Sequence, residues 1–347
     1  MTLLSVVVPC FNEEDSVPEF HRRMTAAALG AVADYEIVVV DDGSTDRTWA
    51  ILHALATSDP HVTAVKLSRN HGHQLALTAG LSQCRGDRIL VIDADLQDPP
   101  ELLGDMLALA DRGADVVYGQ RRTRKGETRF KTATAAMFYR LLRRLVDIDI
   151  PLDAGDFRLM SRRALDVLNN MPEHHRFIRG MVSWIGMRQV PILYDRDARY
   201  AGETKYPLRK MIRFAIDAIT GFSVAPLRLA SFLGVIAAGL SLLLMIYTVG
   251  SWLLGSTIAG WTSLTSIVLL IGSVQLIVLG IIGEYLGRLY VEAKRRPLFV
   301  IEAIQSQAFA TDAPFVTDAA FATEAGAAPS PGFTPPPPGA GGGSCAD

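Results

Sequence analysis

Residues 89–100 read ILVIDADLQDPP, a short run of branched apolar residues that breaks into Asp93, Asp95, Gln97 and Asp98. A near-continuous apolar run suits a strand covered on both faces, and an acidic cluster straight after it falls where such a strand meets solvent. Four similar runs surround it: Leu4–Val8, Ile37–Val40, Val62–Leu67 and Val116–Tyr118. Amphipathic stretches lie between them, such as Thr45–Thr57 with Trp49, Leu52 and Ala56 at helical spacing. Strand–helix alternation predicts a doubly wound α/β domain, in which ligands bind at the carboxyl ends of the strands. The polar residues gather at those ends: Asn12-Glu13, Asp41-Asp42-Gly43, Arg69-Asn70 and Asp93-Ala94-Asp95.

Further along, residues 229–283 contain no Asp, Glu, Lys or Arg. One membrane span takes about 20 residues, so this stretch predicts two spans, Leu229–Leu254 and Trp261–Gly283, joined by a short turn. Bases flank the outer sides, Arg209, Lys210, Arg213 and Arg228 before and Arg288, Lys294, Arg295 and Arg296 after. The positive-inside rule then puts both ends of the pair, and both termini, in the cytosol. Just before the first span, Leu208, Met211, Ile212, Ala215, Ile219 and Phe222 form one apolar stripe edged by bases, the pattern of a helix lying in the lipid interface. The N-terminal sequence MTLLSVVVPCFNEED does not read as a signal peptide.

The 347-residue chain is 49% hydrophobic and 20% charged, too apolar for disorder as a whole. Its net charge of −2 gives no reason to expect a nucleic-acid partner. Residues 121–144 nevertheless hold nine Lys or Arg against one Glu, and residues 303–347 hold four acids and no base. That last segment, rich in Ala, Pro and Gly, is expected to be a disordered tail. Cys10, Cys84 and Cys345 have neither disulfide-framework nor zinc-site spacing.

Asp93 and Asp95, with Gln97 following, are the candidate metal ligands. Oxygen donors at this spacing suit a hard cation, Mg²⁺ or Mn²⁺, that also grips a diphosphate and neutralises charge on its departure. Pro9, Asn12, Glu13, Asp41, Asp42, Asn70 and Asp93 are the candidate contacts to a nucleobase or ribose at the same edge. Asp46 is read as a helix N-terminal charge, and Ser44 and Thr45 as helix caps. His71 and His73 are read as loop polar groups, not as a metal site.

VVVPCFNEE, VVVDDGSTD, RNHGHQLALTAGL and VIDADLQDPPE, in this order and spacing, resemble a family 2 glycosyltransferase of the GT-A fold. DAGDFRLMSR (residues 153–162), AGETKYPLRKMIRFAIDAITGFS (201–223) and GEYLGRLYVEAKRRP after the spans are similar to its polyprenyl-phosphate glycosyltransferase branch. The likeness covers roughly residues 3–300, and the Gln-x-x-Arg-Trp motif of processive synthases is absent.

The resemblance implies inverting transfer of a sugar from a nucleotide sugar, UDP- more than GDP-linked, to a polyprenyl phosphate at a bacterial inner membrane, with a homotetramer as the suggested assembly. Arg121, Arg129, Lys131 and Lys205 are the candidates to hold the acceptor phosphate, while Arg140, Arg143 and Arg144 suit lipid headgroups. Asp156, expected to be catalytic, would orient the acceptor or assist its deprotonation; Arg158 would pair with Asp156 or with phosphate. The expected organisation is a cytosolic GT-A domain (Rossmann-like, nucleotide-sugar-binding) over residues 1–200, an acceptor loop and interfacial helix over 201–228, a transmembrane hairpin over 229–287, a juxtamembrane segment over 288–302 and the tail over 303–347. Two rivals stand beside it. A glycosyltransferase acting on a lipid without phosphate would not need the Arg121–Lys131 bases, and an inactive assembly subunit would not need Asp93, Asp95 and Asp156.

Overall fold

The computed structural model describes residues 3–122, 154–195, 223–254 and 260–307. Each apolar run read from the sequence is a strand: β1 (Leu3–Cys10), β2 (Asp34–Asp41), β3 (Val62–Leu67), β4 (Arg88–Val91) and β5 (Val116–Arg121). Three more were not legible: β6 (Ala154–Ser161), β7 (Gln189–Tyr194) and β8 (Ile301–Ser306). Together they make one eight-stranded sheet in the order β7-β5-β6-β4-β1-β2-β3-β8. The doubly wound parallel expectation holds for β4-β1-β2-β3, whereas β6 runs antiparallel to β4 and β5, and β8 antiparallel to β3. The sheet is therefore mixed.

Alternate residues of one strand feed two cores, because successive side chains leave opposite faces. Val6, Val8, Ile37 and Val39 join one core under α1 (Val17–Ala31), α2 (Thr48–Ser58) and α4 (Leu103–Asp111). Val7, Val38 and Val40 join the other, under α3 (His73–Gln83), α5 (Arg162–Asn169) and α6 (Ile178–Ile185). In α1 the buried residues Val17, Phe20, Met24 and Ala28 recur every three or four positions, and Pro18 sits in its first turn where no amide partner is lost. Ser161 caps α5, its hydroxyl accepting from the Ala164 amide at 3.3 Å. Gly80 lets α3 lie against β1, since a Cβ there would fall 2.4 Å from Val7 Cγ1.

Two long helices follow, α7 (Ala225–Leu253) and α8 (Trp261–Ala293). They contain stretches long and apolar enough to cross a membrane, Ala225–Tyr247 and Leu270–Ala293, with mean hydropathies of 2.4 and 1.7. Both expected spans fall on these helices, apart from Leu254; α8 stays helical ten residues past the expected end at Gly283. Glu284 and Arg288 pair on it at 3.0 Å, as their spacing suggested.

The α8 end is joined to the α/β domain by side chains. His174 lies between Glu292 and the Arg296 carbonyl, with its ring nitrogens 2.9 and 2.7 Å from their oxygens. Within the hairpin, Tyr285 donates to the Ser223 carbonyl just before α7.

The chain then returns to the sheet as β8, where Thr63 meets Ser306 at 3.1 Å and Lys66 meets Glu302 at 2.8 Å. This corrects the expected start of the tail at residue 303, because residues 303–306 belong to a strand. Composition flagged the Ala-rich onset but could not see that β3 offers these residues an open edge. The amphipathic stripe of residues 208–222 lies outside the described residues.

Candidate active site

In this sheet β1 is flanked by β2 on one side and β4 on the other, so the strand order reverses there. A crevice opens at the carboxyl ends of strands at such a reversal. A cavity of about 260 Å³ occupies it; Pro9, Glu13, Asp42, Asn70, Asp93 and Asp95 of the expected residues line it, together with His73.

Two expected contacts, Asn12 and Asp41, are not on its wall. Asn12, in the left-handed region at φ 55°, accepts from the Thr45 amide through Oδ1 at 2.8 Å. It therefore stitches the loop after β1 to the loop after β2. Asp41 is fully buried and accepts from the Ser44 amide at 3.1 Å, leaving Oδ2 without a hydrogen-bond partner.

Asp42 lines the cavity, but its two oxygens accept from the His71 and Gly72 amides at 2.7 and 2.8 Å. Burial pushes its carboxyl above the usual range while those amides pull the other way. Gly43 makes this clamp possible: it sits at φ 68°, and a Cβ there would lie 2.6 Å from the Arg69 carbonyl carbon. Asp46 accepts from the Thr48 amide at the start of α2, as a helix N-terminal charge should. Ser44 is not a cap of α2; its hydroxyl accepts from the Asn12 amide at 3.0 Å.

The antiparallel course of β6 brings its first residues to the same edge as the last residues of β4, with Val91 opposite Arg158. Asp156 thereby meets the Asp93 cluster. His73 Nε2 lies 3.2 Å from Asp156 Oδ2 and 3.7 Å from Asp93 Oδ1. Gln74 donates to Asp156 Oδ2 at 3.1 Å, and its own carbonyl accepts from the Ile178 amide at 2.9 Å. Arg158 and Arg179 each place a nitrogen 3.6 Å from Asp156 Oδ1.

Burial opposes ionisation of Asp156, yet the His73 bond and the charges of Arg179 and Arg158 hold its carboxyl well below the usual carboxylate range. Burial also opposes protonation of His73; the bond to Asp156 and the charges of Asp93, Asp156 and Asp42 prevail and lift it to about 9. Asp93 is pushed up to about 7, by burial first, with His73 opposing and the carboxylates of Asp156, Asp98 and Asp95 adding to the rise.

Arg158 is 3% exposed and donates to the Gly155 and Asp156 carbonyls, which places it beneath Asp156 and off the cavity wall. Of its two expected roles, pairing with Asp156 matches this position and contact with phosphate does not. His73, Gln74 and Arg179 were missed. The signal available for His73 and Gln74 was their place in the first turn of α3 after Gly72, at φ 96°. For Arg179 the sequence held no local signal.

Arg121 ends β5 on the Asp156 side of the site. Arg129, Lys131 and Lys205 lie outside the described residues, as do Arg140, Arg143 and Arg144.

The donor set suits a hard divalent cation. Asp93 Oδ1 is buried with no hydrogen-bond donor, and the carboxylates around it crowd negative charge that a cation would neutralise. Among the described residues no three His, Cys, Asp or Glu side chains are grouped to hold a metal. Asp93 and Asp95 would hold it, with substrate phosphates completing the shell, and the ion would supply Lewis-acid stabilisation of a leaving diphosphate. Gln97, the third expected ligand, is absent from the cavity wall; its backbone amide donates to Asp95 Oδ1 at 3.2 Å.

Comparison with known proteins agrees with this architecture. Residues 5–168 match the family described as Glycosyl transferase family 2, and residues 225–289 match the GtrB C-terminal hairpin. The chain is 49% identical over 299 residues to "Uncharacterized glycosyltransferase YkcC" of Bacillus subtilis, covering 86% of this chain and 93% of that one. It is 37% identical over 308 residues to the "Prophage bactoprenol glucosyl transferase homolog" of Escherichia coli, covering 87% and 99%. Against the crystal structure of S. aureus TarS 1-349 in complex with UDP-GlcNAc, the TM-score is 0.45 at 19% identity, over 63% of this chain and 66% of that one. With relatives this similar along nearly their whole length, the chain belongs to glycosyl transferase family 2 and is a glycosyltransferase.

Proposed function

We propose that this enzyme transfers a sugar from a nucleotide sugar, a UDP-sugar, to undecaprenyl phosphate, with inversion and with Mg²⁺ or Mn²⁺ held by Asp93 and Asp95. A phosphate oxygen of the acceptor forms the new bond to the anomeric carbon; the bond from that carbon to the diphosphate breaks, and the nucleoside diphosphate leaves with the electron pair. One observation carries the reading: Asp93, Asp95 and His73 line one cavity, with Asp156 bonded to His73, in a chain that goes on to two apolar helices. Relatives named bactoprenol glucosyl transferase support the lipid acceptor.

The acceptor needs no strong base, since a phosphate monoester has a second pKa of about 6 and is mostly ionised at neutral pH. Asp156 fits this chemistry. Ringed by His73, Gln74, Arg158 and Arg179, it is a poor proton acceptor and a good holder of cations near the reacting phosphates.

Two features support a hairpin that crosses the membrane and returns. The flanking bases favour the cytosolic side. In addition, β8 follows α8 yet pairs with β3 of the domain that precedes α7, which requires both hairpin ends on one side.

The test is a transfer assay with the full-length protein, undecaprenyl phosphate, Mn²⁺ or Mg²⁺, and a panel of UDP- and GDP-sugars, with Asp95→Ala alongside. The expected result is a metal-dependent glycolipid that the variant does not form. Nucleotide-sugar binding without product on undecaprenyl phosphate, but with product on diacylglycerol, would replace the acceptor. Absence of both binding and product would overturn the reading.

A further inference from the structure

Tyr194 is the last residue of β7 and belongs to none of the motifs that mark the site. It is 3% exposed and packs edge-on against Phe157, with ring centroids 5.7 Å apart. The fit is close: a Cβ on Gly119 would lie 2.8 Å from its ring and 2.6 Å from Phe157. A phenylalanine would fill that space equally well. The hydroxyl therefore needs its own explanation, because a buried O–H must find partners.

It has two. Tyr194 donates to Asp98 Oδ1 and accepts from Arg121 Nε at 3.5 Å. Asp98 is itself 2% exposed and belongs to the loop that carries Asp93 and Asp95. That loop turns through Leu96 at φ 59°, a strained conformation for a branched side chain, of the kind found where function fixes the backbone. Burial and then the Asp98 charge push the Tyr194 hydroxyl above its ordinary range, so it stays a donor toward Asp98.

On its other side Arg121 lies beside the Gly155 backbone. It stands opposite Tyr194 in the β5–β7 register, and its Nη2 would lie 3.3 Å from a Cβ built on Gly155. The guanidinium thus lies across the glycine that precedes Asp156. A Cβ there would crowd the guanidinium by a few tenths of an ångström.

We propose that Tyr194 is a positioning residue that aims the Arg121 guanidinium at the acceptor's phosphate monoester and, through Asp98, ties that cation to the loop holding the donor-side carboxylates. The inference rests on the reading of Arg121 as an acceptor-phosphate ligand. Arg recognises phosphate through a planar fork of donors, so its orientation matters more than its charge alone. Losing the phenol would leave Arg121 in place and charged but free to turn.

Tyr194→Phe tests this, because it removes one oxygen and keeps the ring packing. Full-length protein would be assayed with undecaprenyl phosphate and whichever nucleotide sugar of the panel gives product. The expected result is a KM for undecaprenyl phosphate raised about tenfold, with a smaller change in the nucleotide-sugar KM and a Tm lowered by a few degrees at most as buried Asp98 loses a donor. Arg121→Ala raises the same KM at least as far, and adding Tyr194→Phe to it changes nothing more. An unchanged acceptor KM in Tyr194→Phe, with Arg121→Ala impaired, overturns the role of Tyr194 alone. So does a Tm lowered by more than that with both KM values raised alike, which marks a packing role. An unchanged acceptor KM in Arg121→Ala overturns the reading of Arg121 itself, and the inference with it.

Discussion

The two halves of the sheet contribute to the site in different ways. In the parallel half, β4-β1-β2-β3, each polar group follows directly on the strand that delivers it, as Asp42 follows β2 and Asp93 follows β4. In the mixed half, β6, β5 and β7 supply Asp156, Arg121 and Tyr194, which meet partners 70 to 100 residues away. The parallel half is built from local turns that fix backbone; the mixed half is built from side chains that fix one another. Errors in the first should therefore appear as lost stability or lost metal, and errors in the second as misplaced charge.

The sharpest break of this contrast is Asp93→Ala. Removing a carboxylate from the donor edge is expected to lower kcat/KM by about a thousandfold, the scale on which enzymes lose activity with a principal electrostatic stabiliser of the leaving group. Steady-state kinetics over a Mn²⁺ titration checks it, and a variant rescued by high Mn²⁺ would place the role in affinity.

Next is Asp156→Asn, which keeps the shape but not the charge that gathers His73, Arg158 and Arg179. About a hundredfold loss of kcat with an unchanged far-UV spectrum is expected. Activity near that of the parent would reduce the mixed half to scaffold.

Gly43→Ala should act on stability instead. Its positive φ and the close Arg69 backbone predict a loss of about 2–3 kcal/mol, read by denaturant unfolding in detergent. An unchanged midpoint would mean that the Asp42 clamp does not depend on this turn. The smallest effect belongs to Glu302→Ala, since its bond to Lys66 is half exposed at the sheet edge. It should change stability by about 0.5 kcal/mol or less, whereas a larger change would make that edge a principal support of the domain.

The same contrast explains what the sequence disclosed. Strands β1 to β5 were legible because burial on both faces leaves a continuous Val/Ile/Leu signature. Strand β6 was visible only as a motif, since AGDFRLMS alternates partners and carries charge, and β7 interrupts its apolar run with Pro191. In the site, Asp42, Asn70, Asp93 and Asp95 were found because strand ends are places a sequence can mark. The misreading of His73 as a loop group has the opposite cause. Its meaning depends on Asp156, 83 residues later, and on the antiparallel course of β6 that brings Asp156 back. Asn12 and Asp41 show that an acid or amide at a strand end is as readily spent on shaping a loop as on holding a ligand.

Strand β8 has a consequence for how the molecule is made. The bond between Thr63 and Ser306 spans 243 positions, with both apolar helices in between. The β3 edge is therefore synthesised early and covered last, after the two apolar helices have left the ribosome. Until then it is an unpaired strand edge on a nascent chain, the feature most prone to pair with a neighbour. A chain cut off after residue 293 would keep every cavity residue and both helices yet retain that open edge. Its failure would show as aggregation during production and not as a loss of chemistry.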